Sequence, residues 1–323
     1  MQGICTLGND VVYDQLVALL NSIDAILGPE TPVCVFPFDE KLERLTAEIS
    51  RRPNVSLYDN QEIIAQWDEF MAGASPASIN RQYRIYGGHR RFCAFTGPFE
   101  QFVYMDADTL LMSPLDVIFK KLDEYDCVVY DFQFLHPEKV YNVKSPKLTQ
   151  VFPQELIDSQ IFCSGFYATK RGVFDQDKCQ WLLSNLQEGG EVEVLYPTGD
   201  QPVLNYMFMR SGIPIYNCAY HFPKTIATGN SVTSSHFEEK DHILYDKGNR
   251  LTYLHYIGIA PCVMQAVCQG ENIDFPYRDL FLYYRYLHEP EKRPIFTTPG
   301  VDYNANSRPS LLKRILRKLN LSR

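Results

Sequence analysis

Phe102-Val103-Tyr104-Met105-Asp106-Ala107-Asp108-Thr109 decides how this chain is read. Four apolar residues in a row, with aromatic and β-branched members, mark a short strand buried on both faces. Two carboxylates separated by one small residue follow at once. Two-residue spacing in an extended segment sends both side chains the same way, so the pair is expected to share one hard divalent cation. Mg²⁺ and Mn²⁺ take oxygen ligands and bridge carboxylates to phosphates. In open α/β sheets, ligands sit beyond the carboxyl ends of the strands, which is where this pair falls. A bare Asp-x-Asp also occurs in solvated acidic turns; the apolar lead-in favours the metal.

Outward from this strand, short apolar runs alternate with amphipathic ones, the pattern of a mostly parallel sheet flanked by helices. Strands are expected at 3–7, 33–36, 55–58, 127–130, 161–169, 214–218 and 251–255. Helices are expected at 11–27, which stops at Gly28-Pro29, and at 40–50, 61–70, 174–187 and 201–210. A loop rich in Ala, Gly and Ser covers 72–79. The aromatic-rich, poorly periodic stretches 132–158 and 221–241 read as lids or substrate-binding loops.

The 323 residues are 45% hydrophobic and 13% aromatic, enough for a sizeable core, and they carry a net charge of −8. That charge excludes a general nucleic-acid binder and means an anionic substrate needs a local counter-charge, which a bound cation would supply. Nine cysteines are scattered without a CxxC pair, which excludes the usual zinc-ribbon spacings and fits reduced thiols. The chain opens without the pattern of a signal peptide and has no apolar run long enough to span a bilayer, so a cytoplasmic location is expected. Residues 308–323 differ: six basic residues and no acid leave −14 for the remainder. Leu311, Leu312, Ile315, Leu316 and Leu319 share one helical face, opposite most of the basic residues. This fits a helix at the inner face of an anionic membrane, and equally a docked terminal helix or a solvated tail.

The competing phosphate motifs are absent: no GxGxxG, no GxxxxGK[ST], no GxSxG and no HExxH. The strand of residues 102–111 closely resembles instead the Asp-x-Asp strand of the retaining, family-eight glycosyltransferases, the group that includes glycogenin and bacterial galactosyltransferases. Three further segments resemble that family in order: Cys5 to Asp10 with Tyr13, Thr198-Gly199-Asp200-Gln201-Pro202-Val203-Leu204-Asn205, and Leu254-His255-Tyr256-Ile257-Gly258. The resemblance spans residues 3–261 and implies a GT-A type α/β fold over 1–270, followed by a helical extension over 271–323. It implies a UDP-sugar donor, hexose transfer with retention, and Mn²⁺ or Mg²⁺ as cofactor. Asp106, Asp108 and His255 would hold the metal. Thr6, Leu7, Asn9, Tyr13, Arg91, Ala107 and Gly258 would meet the nucleotide. Asp131, Ser164, Gly165 and Asp200 would meet the donor sugar, with Gln201 and Asp200 at the reacting centre.

Each assignment has a plainer alternative. Asp200 could cap the helix that follows, His255 could be a satisfied structural histidine, and Asp131 could be a surface carboxylate. Arg90 or Arg84 could take the place given to Arg91, with Arg81 in the same basic cluster. Two departures stand out: Cys163 replaces the family's Asn, and Pro261 replaces the Lys expected to meet the diphosphate. They keep alive a non-catalytic nucleotide-sugar or carbohydrate binder of the same fold. A nucleotidyltransferase would need a Gly-rich, basic loop after the first strand, and Thr6-Leu7-Gly8-Asn9 is not one. The acceptor, whether sugar, lipid or peptide, has no signature.

Overall fold

Short strands with apolar side chains on both faces build the central sheet of the computed structural model, which describes residues 1–75 and 87–303. In chain order the strands are β1 (Gln2–Gly8), β2 (Val33–Pro37), β3 (Val55–Leu57), β4 (Gln101–Met105), β5 (Thr109–Leu111), β6 (Cys127–Val129), β7 (Phe166–Lys170) and β8 (Ile215–Asn217). The sheet order is β3-β2-β1-β4-β7-β6-β8; β5 stands outside it. β7 runs antiparallel to β4 and β6, while the other pairs are parallel. Period-two alternation places Phe102 and Tyr104 of β4 in one core, with Trp67, Phe95 and Phe208, and Val103 and Met105 in the other, with Leu16, Leu20 and Val35. Both faces are therefore dry, as the continuous apolar run implied.

The helix expected at 11–27 begins later. Asn9 Oδ1 accepts from the Val11 and Val12 amides and caps a 3₁₀ turn, Asp10–Val12, so α1 covers Tyr13–Leu27. It ends at Gly28, whose φ of 99° suits only glycine. The helix expected at 40–50 is the shorter α2, Glu43–Ile49, and that at 61–70 continues as α3, Gln61–Ala74. Two further helices, Gln176–Gln187 and Gln201–Arg210, lie close to the expected ranges. Arg81, Arg84 and the segment 308–323 lie outside the described residues.

The strand expected over 161–169 begins only at Phe166. Before it, side chains satisfy the backbone in place of a ladder. The Asn205 amide takes both the N–H and the carbonyl of Phe162, Asp131 Oδ2 accepts from the Cys163 amide at 2.7 Å, and Gln201 Oε1 accepts from the Ser164 amide at 3.1 Å. The stretch 132–158 contains short helical turns, at Leu148–Val151 and Gln154–Ile157 among others.

Beyond the sheet, β9 (Glu238–Lys240), β10 (Ile243–Asp246) and β11 (Asn249–Arg250) form a three-stranded antiparallel sheet. The single strand expected at 251–255 is instead β12, Tyr253–His255, which pairs antiparallel with β5. A third apolar cluster, including Leu110, Leu254, Tyr256 and Phe281, joins this part to Ala18 of α1. The helix Arg278–Arg285 seats on α1: Asn21 Nδ2 donates to the Tyr284 carbonyl at 2.8 Å, and Arg285 Nε to Asp14 Oδ1 at 2.7 Å. No helix among the described residues is long and apolar enough to cross a membrane.

Candidate metal centre and its two cavities

The Asp-x-Asp segment is a turn, not the extended pair the spacing suggested. The Thr109 amide and Oγ1 both donate to the Asp106 carbonyl, at 3.0 and 2.7 Å, and fold the chain back into β5. The carboxylates still converge, because β5 pairs with β12 in a register that sets Thr109 opposite His255. The Tyr256 amide donates to the Asp108 carbonyl at 2.9 Å and fixes the alignment. One ligand atom each from Asp106, Asp108 and His255 lies within 4.8 Å of the others, the distance over which one cation could be shared.

The site is crowded by design of its backbone. The Asp106 amide donates to the Gly165 carbonyl at 2.9 Å. A Cβ at Gly165 would stand 2.6 Å from His255 Cε1 and 3.0 Å from Asp106 Oδ2, so only glycine lets the three segments meet. Gly165→Ala is expected to cost about 1–3 kcal/mol of stability and to weaken Mn²⁺ binding at least about tenfold. Thermal denaturation and Mn²⁺ titration check both; unchanged metal affinity would place the ion elsewhere.

Arg91, 6% exposed, ties the acidic groups together. Its Nη1 lies 3.0 Å from Asp106 Oδ1 and donates to the Ser164 carbonyl at 2.7 Å. Its Nε lies 2.6 Å from Asp200 Oδ2, but the Nε–H donates to the Gly88 carbonyl, so the Asp200 contact is ionic. Tyr104 OH adds a hydrogen bond to Asp106 Oδ1 at 2.9 Å.

Electrostatics divide the two metal-site carboxylates. Burial holds the Asp106 carboxyl above the ordinary carboxylate range, with Asp108 adding to the shift and Arg91 opposing it. Burial acts on Asp108 too, but His255, with Nε2 3.2 Å from Asp108 Oδ1, outweighs it and holds that carboxyl low. Burial disfavours a charged His255, yet Asp108 and a hydrogen bond with Cys163 lift the imidazole well above its usual value. Metal ligation requires neutral imidazole, so a cation held by this cluster would displace the proton, and its affinity would rise with pH.

The cluster stands between two cavities. The first, about 430 Å³, runs from Leu7, Asn9, Val12 and Gln15 past Phe38 and Arg91 to Asp106, Ala107, Asp108, Ile259 and Pro261. The second, about 540 Å³, is walled by Asp131, Gln133, Cys163, Asn230, Ser231, Tyr253 and His255.

No protein-family model matches the sequence, and no curated protein matches it. In three dimensions the chain is similar to the apo structure of the bifunctional glycosyltransferase WbbM, with a TM-score of 0.53 and 14% identity over 90% of this chain. The fold is GT-A. The chain spans 51% of the length of WbbM. Lower TM-scores relate it to the galactosyltransferase LgtC in complex with donor and acceptor sugar analogs (0.46, 14% identity, 80% of this chain and 87% of that one) and to mouse xyloside xylosyltransferase 1 in apo form (0.47, 13% identity, 68% and 86%).

On this GT-A frame, most of the residues singled out from sequence meet around the cluster. Leu7, Asn9, Arg91 and Ala107 line the first cavity with the two aspartates, and Asp131 lines the second with His255. Asp200 stands at a helix start without capping it, because its carboxylate turns to Arg91. Arg90 pairs instead with Asp68, at 2.8 Å, away from the cluster. Three residues do not line the first cavity. Thr6 is fully buried within β1, Tyr13 lies under Arg44 with its hydroxyl toward Glu48, and Gly258 supplies a turn at φ 86°. Val12, Gln15, Phe38 and Ile259 line that cavity unforeseen. Only Val12, one place before Tyr13, had a legible signal: the Asn9 cap restarts the helix and shifts which residue faces inward.

Asp131 is buried, not a surface carboxylate, and accepts from the Gln133 and Cys163 amides. Burial raises its carboxyl from 3.8 to about 7, against the pull of those two amides. A raised folded-state value means the protonated form favours folding below about pH 4, and that contribution is lost as pH climbs through about 7. Asp131→Asn, neutral throughout, should remove up to about 2 kcal/mol of the stability change between pH 5 and pH 8. Chemical denaturation at the two pH values checks this; an identical slope in the variant would refute it.

Proposed function

We propose that the chain is a metal-dependent glycosyltransferase that moves a hexose from a UDP-sugar to an acceptor, with retention, in the manner of the family-eight enzymes its motifs resemble. The observation that carries this reading is the convergence of Asp106, Asp108 and His255 between two cavities on a GT-A fold. Two carboxylates and an imidazole suit Mn²⁺, and Mg²⁺ if water completes its shell. Bound there, the cation supplies Lewis-acid stabilisation of the departing diphosphate.

The protein's own groups do the positioning. Leu7, Asn9, Val12 and Ala107 form the wall against which the nucleoside rests; Thr6 is buried in β1 next to Leu7. Arg91 holds Asp106 and Asp200 in register and keeps their charges apart from each other. Gln201 Oε1 is fixed by the Ser164 amide, which orients its carboxamide toward the sugar held by Asp200, Ser164 and Gly165. Cys163 and Asp131 open toward the second cavity, where the acceptor would arrive. Among the described residues, Arg91 is the one cation lining the first cavity; it is held by the Gly88 and Ser164 carbonyls, and Pro261 stands at the edge where the family has Lys.

A panel of nucleotide sugars with Mn²⁺, Mg²⁺ or EDTA tests the reading by thermal shift and donor hydrolysis. Metal-dependent stabilisation and slow hydrolysis with one UDP-sugar are expected. Stabilisation without hydrolysis, with or without acceptors, would favour the non-catalytic binder, and an inverted product would remove retention.

A further inference from the structure

A row of aromatic side chains leaves the second cavity and runs across the surface. Phe132, beside Asp131, lines that cavity. Its ring centroid lies 6.4 Å from Phe134, which meets Tyr220 edge-on at 5.5 Å. Tyr220 abuts His221 at 5.1 Å, His221 stacks on Tyr216 at 4.6 Å, and Tyr216 reaches Tyr125 at 4.9 Å. Lys121 Nζ closes the row 4.8 Å from the Tyr216 ring. The row draws on three separate segments, so it is made by the fold and not by one aromatic loop.

Phe132, Tyr125 and Tyr216 rest on the core below, as Phe134 does on the opposite core, which fixes their rings in place. Tyr220 is 51% exposed and His221 is exposed beside it. A single exposed aromatic needs no explanation, but a connected row of half-buried rings running from a cavity to the exposed Tyr220 and His221 does. The rings combine apolar faces with hydroxyl and imidazole tips, which matches the apolar C–H faces and hydroxyl rims of sugar rings. The cavity at its end is walled by Gln133, Asn230, Ser231 and Thr233. A lipid tail laid there would strand those polar groups without partners, whereas a glycan would pair with them.

We propose that this row is a binding track for an oligosaccharide acceptor, with the chain's reacting end in the second cavity and its remaining sugars over Phe134, Tyr220 and Tyr216. The proposal rests on the glycosyltransferase reading, to which it adds the acceptor's class and its minimum length of more than one sugar.

The test uses the full chain with UDP and Mn²⁺ on an array of mono-, di- and tetrasaccharides in matched linkages, beside phosphatidylcholine–phosphatidylglycerol vesicles. For at least one linkage, the tetrasaccharide should bind about tenfold better than the monosaccharide, and Tyr220→Ala should remove about fivefold of that preference. Tyr220→Phe keeps the ring and should keep the preference. Trp181→Ala removes an exposed aromatic outside the row and should also keep it. No gain with chain length, a gain that survives Tyr220→Ala, or binding to vesicles instead of glycans would overturn the track. Donor hydrolysis by the same wild-type preparation separates the two ideas. Hydrolysis without chain-length dependence removes the track alone; chain-length dependence governed by Tyr220 without hydrolysis leaves a glycan-binding surface and removes the enzyme.

Discussion

Asp108→Asn is expected to lower metal-dependent donor turnover about a thousandfold while shifting stability by no more than about 1 kcal/mol. The substitution keeps shape and volume but removes one anionic ligand. It also frees His255, whose imidazole is held protonated chiefly by Asp108 against the effect of burial. In the metal-free protein the histidine should therefore titrate lower in the variant than in the wild type. The fold should tolerate the change, since β5 and β12 are joined through backbone groups that Asn leaves intact. Turnover at saturating Mn²⁺ and the affinity for Mn²⁺ itself provide the check. Turnover within tenfold of wild type would mean that this carboxylate does not hold the metal.

Arg91→Met is expected to cost about 3–5 kcal/mol of folding stability and to abolish turnover, because it leaves Asp106 and Asp200 facing each other without a counter-charge in a buried site. The deficit should shrink as pH falls and the Asp106 carboxyl, held high chiefly by burial, becomes protonated. Arg90→Met, one residue earlier, supplies the contrast. Its partner Asp68 is 35% exposed at the side chain, so the loss should stay within about 1 kcal/mol. Urea denaturation of the pair at pH 7 distinguishes a structural clamp from a surface charge. Equal effects at the two positions would contradict the assignment of Arg91 to the centre of the site.

The sheet was legible because its strands are buried on both faces and read as plain apolar runs, and β4 announced its own carboxyl end with Asp106. The direction of β7 was not legible, since an antiparallel and a parallel strand share the same composition when both faces are dry. Short pieces also escaped. β5 has only three residues and no local pattern of its own; β12 falls within the strand expected at 251–255, but its pairing with a segment so distant in sequence was not legible. The carboxylate pair was found by spacing, yet the geometry that makes it converge is a turn that spacing cannot reveal. Arg91 could be told from Arg90 only in three dimensions, where one points into the sheet end and the other toward α3. For Asp131 the sequence left two readings, a sugar-facing group and a surface carboxylate, and the amides of Gln133 and Cys163 exclude the second by enclosing it.

The pairing of β5 with β12 also sets a timetable. The two aspartates leave the ribosome long before His255, and the strand that carries the histidine has no place to dock until β5 is folded back by the Asp106–Thr109 turn. A nascent chain cut before β12 would contain both carboxylates and most of the first cavity's lining, but would lack His255, Ile259 and Pro261. Contacts this distant in sequence are slow to form, because the entropy of closing the intervening loop must be overcome first. A divalent ion that needs all three ligands would then stabilise only those chains in which β12 has docked on β5.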